Sequence, residues 1–98
     1  MYEELEQFAG GFFDEDFDLE YSSPDAAIVS FPSLQGPEAV HDLVAEIDQL
    51  LQSDLSEQDI SHLWIREFGA RYNPQRDGLT YREWFAHVRD VLTQAKAD

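Results

Sequence analysis

The side chains that could do chemistry in this 98-residue chain are mostly carboxylates, and the first group lies near the N-terminus. Asp14, Asp16 and Asp18 alternate with other residues, as the first ligands of a calcium-binding EF-hand loop do. Such a loop also needs glycine at its sixth position and a bidentate glutamate at its twelfth, where this sequence has Leu19 and Asp25. We therefore interpret the segment as a solvated acidic loop and not as a calcium site.

The remaining candidates for metal binding or catalysis are equally incomplete. Residues 73–84 place Gly78 at the turn position of an EF-hand loop, but Trp84 stands where the chelating glutamate belongs. The histidines lie on separate predicted helices without ligand spacing: His41, His62 and His87. The chain has no cysteine, no nucleophile elbow and no glycine-rich phosphate loop. We expect no metal, no cofactor and no enzymatic activity.

The net charge of −15 arises from 6 Lys and Arg against 21 Asp and Glu, and residues 1–65 contain no Lys or Arg at all. A polyanion would be repelled by such a surface, so direct binding to nucleic acid is excluded as a function. Anionic membrane surfaces are disfavoured for the same reason. The natural counterpart is a cation or a basic protein.

Glu38, Asp42 and Glu46, which we call the acidic row, follow one another at intervals of four on a predicted helix. Like charges at this spacing destabilise a helix by about 0.2–0.5 kcal/mol per pair. We interpret the absence of Lys and Arg from residues 1–65 as selected for an electric field, although a merely acidic protein would have the same composition. The last predicted helix carries basic residues at intervals of seven: Arg82, Arg89 and Lys96. The sequence leaves open whether these pair within the chain or with a partner.

Apolar periodicity predicts an all-α fold, a small orthogonal bundle of about five short helices in one domain spanning residues 1–98. Helix starts are predicted at Ser23-Pro24, at a capping box on Ser56 and at a second capping box on Thr80. Pro32 is expected to end the second helix, and residues 14–21 to form an irregular loop. The large aromatics on apolar stripes are predicted to be core: Trp64, Trp84 and Phe85.

Two runs of residues are recognisable. The run Leu5-x-x-Phe8-x-Gly10-Gly11-x-Phe13 with Asp16-Phe17-Asp18-Leu19-Glu20-Tyr21 resembles the N-terminal signature of bacterial contact-dependent growth inhibition immunity proteins of the CdiI type. Residues 77–84, Asp-Gly-Leu-Thr-Tyr-Arg-Glu-Trp, are similar to the C-terminal block of that family. Phe17 departs from the pattern, since tryptophan is common there.

The resemblance implies a small helical protein that stays in the cytoplasm of the toxin producer and binds the C-terminal toxin domain of a cognate exoprotein without catalysis. Many such toxin domains are nucleases, often acting on transfer RNA. We therefore expect a 1:1 heterodimer with a basic toxin domain and no membrane contact. The acidic N-terminal residues, unlike a secretory signal, agree with a cytoplasmic location.

Partner contacts are expected from the acidic row and from a second set that we call the acidic loop: Asp14, Glu15, Asp16, Asp18 and Glu20. Two other functions stay open from the sequence. One is an acidic adaptor or antitoxin-like inhibitor of a different basic protein. The other is a divergent calcium sensor.

Overall fold

The computed structural model describes residues 2–97, except for the side chains of Asp18 and of residues 95–97. The α-helices are α1 (Glu3–Phe12), α2 (Phe17–Glu20), α3 (Pro24–Gln35), α4 (Pro37–Gln52), α5 (Glu57–Ser61) and α6 (Tyr81–Ala97). A π-helical turn, His62–Glu67, continues α5, and a 3₁₀ turn covers Pro74–Asp77. Residues 2–97 contain no β-strand, so the predicted all-α bundle is confirmed.

Local side-chain caps set the beginnings of three helices, as predicted. The Ser23 hydroxyl accepts from the Ala26 amide at 3.1 Å at the start of α3. Ser56 and Asp59 exchange two hydrogen bonds of 3.1 Å each at the start of α5. Thr80 and Glu83 do the same before α6, at 2.9 and 3.1 Å. Each such cap stabilises its helix by about 1 kcal/mol.

The predicted end of the second helix at Pro32 is wrong. Helix α3 continues through Pro32, whose carbonyl accepts from the Gly36 amide at 3.0 Å. The missing proline N–H costs one hydrogen bond, but the neighbouring Phe31 is buried against Phe8, with ring centroids 5.6 Å apart. Gly36, with φ of 89°, makes the turn into α4 instead. Burial of Phe31 thus holds the helix through the proline.

The segment predicted to be an irregular loop contains one helical turn, α2. Phe17 is buried and packs on Phe13 and Tyr72, with ring centroids 5.4 and 5.7 Å apart. The Tyr21 amide donates to the Phe17 carbonyl at 2.8 Å and closes the turn. Anchoring of Phe17 in the core brings the chain into a helical conformation that its alternating sequence does not indicate.

An aromatic cluster forms the centre of the core. Phe13 lies between Trp64, Tyr72 and Trp84, with ring centroids 5.4–5.6 Å away. The Trp64 indole N–H donates to the Tyr72 carbonyl at 2.7 Å, which fixes the loop after the π-helical turn. Burial of Trp64, Trp84 and Phe85 confirms the prediction that they are core residues. Helix α6 packs across α3 and α4, and α1 packs on α4.

Within residues 2–97, no helix has both the length and the apolar character that crossing a lipid bilayer requires.

Candidate functional site

The last member of the acidic row, Glu46, caps a different helix. Its two carboxylate oxygens accept from the backbone amides of Glu4 and Leu5 at 3.1 and 2.9 Å. Helix α1 has no side-chain cap from its own N-cap residue, Tyr2, so Glu46 on α4 satisfies these unpaired donors. The negative charge also lies favourably at the positive end of the helix dipole. The structure therefore gives Glu46 a stabilising role that the sequence does not indicate.

Glu57 does the same for α6. The Glu57 carboxylate accepts from the backbone amides of Tyr81 and Arg82 at 2.7 and 3.1 Å. Glu57 itself lies on α5, more than 20 residues earlier in the sequence. Each of these carboxylates thus caps the N-terminus of another helix, Glu46 from within α4 and Glu57 from the first position of α5. No local pattern marks either residue, because each cap depends on tertiary packing.

The cap at α1 concentrates negative charge around Glu4. Burial raises the pKa of Glu4 above its ordinary 4.5, and the charges of Glu46, Asp42 and Glu3 raise it further. One carboxylate oxygen of Glu4, Oε2, is buried without a hydrogen-bond partner. The charge of this carboxylate is therefore less well solvated than that of a free one, and no described Lys or Arg lies within ion-pairing distance of it. We call Glu3, Glu4 and Asp42, together with the Glu46 carboxylate, the α1–α4 acidic cluster.

The other two members of the acidic row remain accessible. Glu38 and Asp42 are exposed on α4. Asp42 has only the exposed His41 within ion-pairing distance, at 3.7 Å, and no Lys or Arg pairs with either carboxylate among the described residues. In the acidic row, Glu46 therefore caps a helix of the same chain, whereas Glu38 and Asp42 face solvent.

The acidic loop lies at the opposite end of α1. The Asp14 carboxylate accepts from the Asp16 amide at 3.1 Å, which is a local turn, while Glu15, Asp16 and Glu20 are exposed. The side chain of Asp18 lies outside the described residues. With a rise of about 1.5 Å per residue, the ten-residue α1 separates this loop from the α1–α4 acidic cluster by roughly 15 Å. The structure does not bring the two predicted acidic sets together in one site.

Leu19, between two members of the acidic loop, is 86% exposed. It is the most exposed of the large apolar side chains, and carboxylates precede and follow it in the sequence. The partner contacts predicted from the sequence in this segment are the acids alone and do not include Leu19. An exposed apolar side chain therefore lies between two acidic residues of the sequence.

The basic residues of α6 bind within the chain where the structure describes them. Arg82 donates to the carbonyls of Leu51, Ser53 and Leu55 at 2.8, 3.1 and 2.6 Å and so holds the end of α4. Arg89 pairs with Asp48 of α4 at 2.9 Å. This answers the question that the sequence left open for Arg82 and Arg89; the side chain of Lys96 lies outside the described residues.

The histidines of the described chain do not converge. His41 and His62 are exposed, and His87 contacts Asp25 of α3 at 2.7 Å. Among the described side chains, no three His, Asp or Glu residues are grouped as metal ligands would be. The arrangement offers charged and apolar contact surfaces for a macromolecule.

No curated protein matches the chain in sequence. Among solved structures, one chain of the crystal structure of the CdiA-CT/CdiI complex from Y. kristensenii 33638 has the same fold, with a TM-score of 0.88. The two chains are 20% identical, and the alignment covers 93% of this chain and 97% of that chain. A model of the CdiI immunity protein family matches residues 1–92, including both runs whose resemblance the sequence indicates. The chain therefore belongs to the CdiI immunity protein family.

Proposed function

We propose that this chain binds the C-terminal toxin domain of a cognate contact-dependent growth inhibition exoprotein and neutralises it without catalysing a reaction. Membership of the CdiI immunity protein family supports this function. The fold shared with a chain of a solved CdiA-CT/CdiI complex also supports it. The complex we propose is a 1:1 heterodimer in the cytoplasm of the producing cell.

The α1–α4 acidic cluster is the observation that carries the proposed mode of binding. Glu4 has a raised pKa and an unpartnered buried oxygen beside Asp42 and Glu46. A partner lysine or arginine placed against Glu4 and Asp42 would supply the missing opposite charge and relieve their repulsion. Because Glu46 is committed to α1, we assign the partner contact to Glu4, Glu38 and Asp42.

The acidic loop and Leu19 form a second contact region in this proposal. Carboxylates of the acidic loop, namely Asp14, Glu15, Asp16, Asp18 and Glu20, would contact the partner around a Leu19 side chain that the partner buries. Burying one leucine stabilises a complex by about 1.5–3 kcal/mol. The charged residues would raise the rate of association with the toxin domain and select against other partners, and the apolar contact would slow dissociation of the complex.

The toxin that fits this surface best is a nuclease. A nuclease that grips phosphates needs Lys and Arg in its substrate groove, and the net charge of −15 makes this chain a competitor for the same groove. Complementary charge raises association rates to about 10⁸–10⁹ M⁻¹s⁻¹ at low salt. Rapid capture matters because a free toxin damages the cell with each turnover.

Co-expression tests the function. The toxin domain encoded beside this chain should stop growth when expressed alone, and growth should return when this chain is expressed with it. The two proteins should also purify as a 1:1 complex. Continued growth arrest together with no complex would contradict the proposed function.

Charge reversal tests the site. Asp42→Lys should slow association by about tenfold or more at low salt and lose most of that effect at high salt, because steering is screened. Asp54→Lys is the matched control, since Asp54 is exposed in the loop after α4. This substitution makes the same change of charge outside the α1–α4 acidic cluster. Stopped-flow association rates across a salt series measure both. Equal effects of the two variants would mean that only total charge matters and would refute the assigned contact.

A further inference from the structure

Two arginines that take no part in the ion pairs of the fold line one cleft. Arg71 and Arg76 both border a cleft of about 400 Å³ between the α2–α3 connection and the 3₁₀ turn. Both side chains are exposed, and neither forms an ion pair or a side-chain hydrogen bond with the described residues. Arg82 and Arg89, in contrast, are both engaged within the chain. The cleft therefore presents free guanidinium donors on a molecule of net charge −15.

The walls of the cleft suit a planar anion with an aliphatic stem. Phe17, Tyr21 and Tyr72 form its aromatic side. Asp77 is the one carboxylate among the described residues of the lining, and it accepts from the Tyr72 hydroxyl at 2.6 Å. Guanidinium groups bind carboxylates through two parallel hydrogen bonds, and an aromatic wall lowers the local dielectric and strengthens them.

We infer that the cleft receives an Asp or Glu side chain of the protein partner and thereby orients this chain on it. The inference rests on the proposed function, since the partner is the toxin domain. A polyanion such as nucleic acid is repelled by the remaining surface, whereas one carboxylate on a basic protein is carried in by the attraction of its neighbours. The acidic surfaces attract any basic protein, but the cleft selects a partner with an acid at the matching place.

The sign of the mutational effect makes the inference testable. Removing an arginine makes this chain more negative, so a basic toxin domain should associate as fast as before or faster if the cleft makes no contact. If the cleft holds a carboxylate, Arg71→Ala and Arg76→Ala should each speed dissociation by about 30-fold or more. Arg66→Ala is the control, because Arg66 is exposed and forms no ion pair with the described residues, but does not line the cleft. Surface plasmon resonance with the cognate toxin domain measures the rates.

These variants should fold normally, since both arginine side chains are exposed and form no hydrogen bond or ion pair with the described residues. The backbone N–H of Arg71 donates to the Phe13 carbonyl at 2.7 Å, and this bond is kept in Arg71→Ala. Equal melting temperatures of variants and wild type check this point. A tight wild-type complex whose dissociation is unchanged by both cleft substitutions would overturn the inference and leave the proposed function intact. Failure of the wild-type chain to bind would instead overturn the proposed function.

Charge exchange identifies the group that occupies the cleft. Arg76→Glu should weaken the complex, and one toxin-domain variant with a surface Asp or Glu changed to Lys should restore it. Absence of rescue by every such variant would count against a partner carboxylate. Titration with inorganic phosphate, followed by nuclear magnetic resonance, tests the rival ligand. Saturation below millimolar phosphate that Arg71→Ala abolishes would reassign the cleft to a free phosphate and overturn the inference.

Discussion

Neutralising Glu46 and neutralising Asp42 should change stability in opposite directions, although the two acids lie one turn apart on α4. In Glu46→Gln, one of the two oxygens that accept from the Glu4 and Leu5 amides becomes an NH₂ group, which cannot accept. The lost hydrogen bond costs about 0.5–1.5 kcal/mol. Loss of the charge at the α1 N-terminus costs about 0.3–1 kcal/mol more.

Relief of the repulsion between Glu46 and Glu4 offsets part of that cost, so we expect a net destabilisation of about 1 kcal/mol. For a domain of this size, that lowers the melting temperature by about 4–8 °C. Asp42→Asn removes the same charge from the same helix but no cap, and it removes a like charge that raises the pKa of Glu4. Its melting temperature should equal or exceed that of the wild type.

Thermal unfolding followed by far-ultraviolet circular dichroism at neutral pH and low salt measures both variants, and urea unfolding checks the free energies. High salt should shrink the effect of Asp42→Asn while leaving most of that of Glu46→Gln, because the cap is partly buried. If both variants raise the melting temperature equally, the acids of α4 act only through general charge; if both lower it equally, Asp42 stabilises the fold as Glu46 does. The division of the acidic row into cap and contact residues would then be wrong.

Two further predictions concern the residues that contact these helix ends. Because the pKa of Glu4 is raised in the folded chain, its contribution to stability is present below about pH 4.5 and is lost as pH rises through the folded value. Glu4→Gln should therefore raise the melting temperature at neutral pH and change it little in acid; equal gains at both pH values would contradict this origin. Arg82→Ala, which leaves three carbonyls without their donor, should cost about 3 kcal/mol in urea unfolding. Arg82→Lys should recover less than half, since an ammonium lacks the planar fork; full recovery would mean that charge alone suffices.

The sequence predicts those features of the fold that depend on neighbouring residues. The caps at Ser23, Ser56 and Thr80 are local, so the starts of α3, α5 and α6 were predictable. The prediction that a helix ends at Pro32 is wrong because the burial of Phe31, which keeps α3 intact, depends on contacts with α1. The helical turn at α2 was missed for the same reason, since Phe17 is anchored by residues distant in the sequence.

For the candidate site, the sequence predicts that the surface is negatively charged but not which role each acidic residue has. Spacing placed Glu38, Asp42 and Glu46 on one side of a helix, but nothing in the spacing separates the two exposed acids from the one that caps α1. The roles of Glu57 and Arg82 are equally invisible in sequence, because their partners lie on other elements. The excess of negative charge follows from composition, whereas tertiary contacts decide which acids cap helices and which face solvent.

The paired caps made by Glu46 and Glu57 bear on how such a protein can change over generations. An immunity protein must follow each change in its toxin, and exposed acids such as Glu38 or Glu15 can be exchanged without touching a helix end. The two capping carboxylates have no such freedom. Each accepts hydrogen bonds from backbone amides at the start of another helix, and these amides are present whatever side chains that helix carries. Diversification should therefore run through the solvent-facing acids, while these two positions stay acidic across lineages that inhibit quite different toxins.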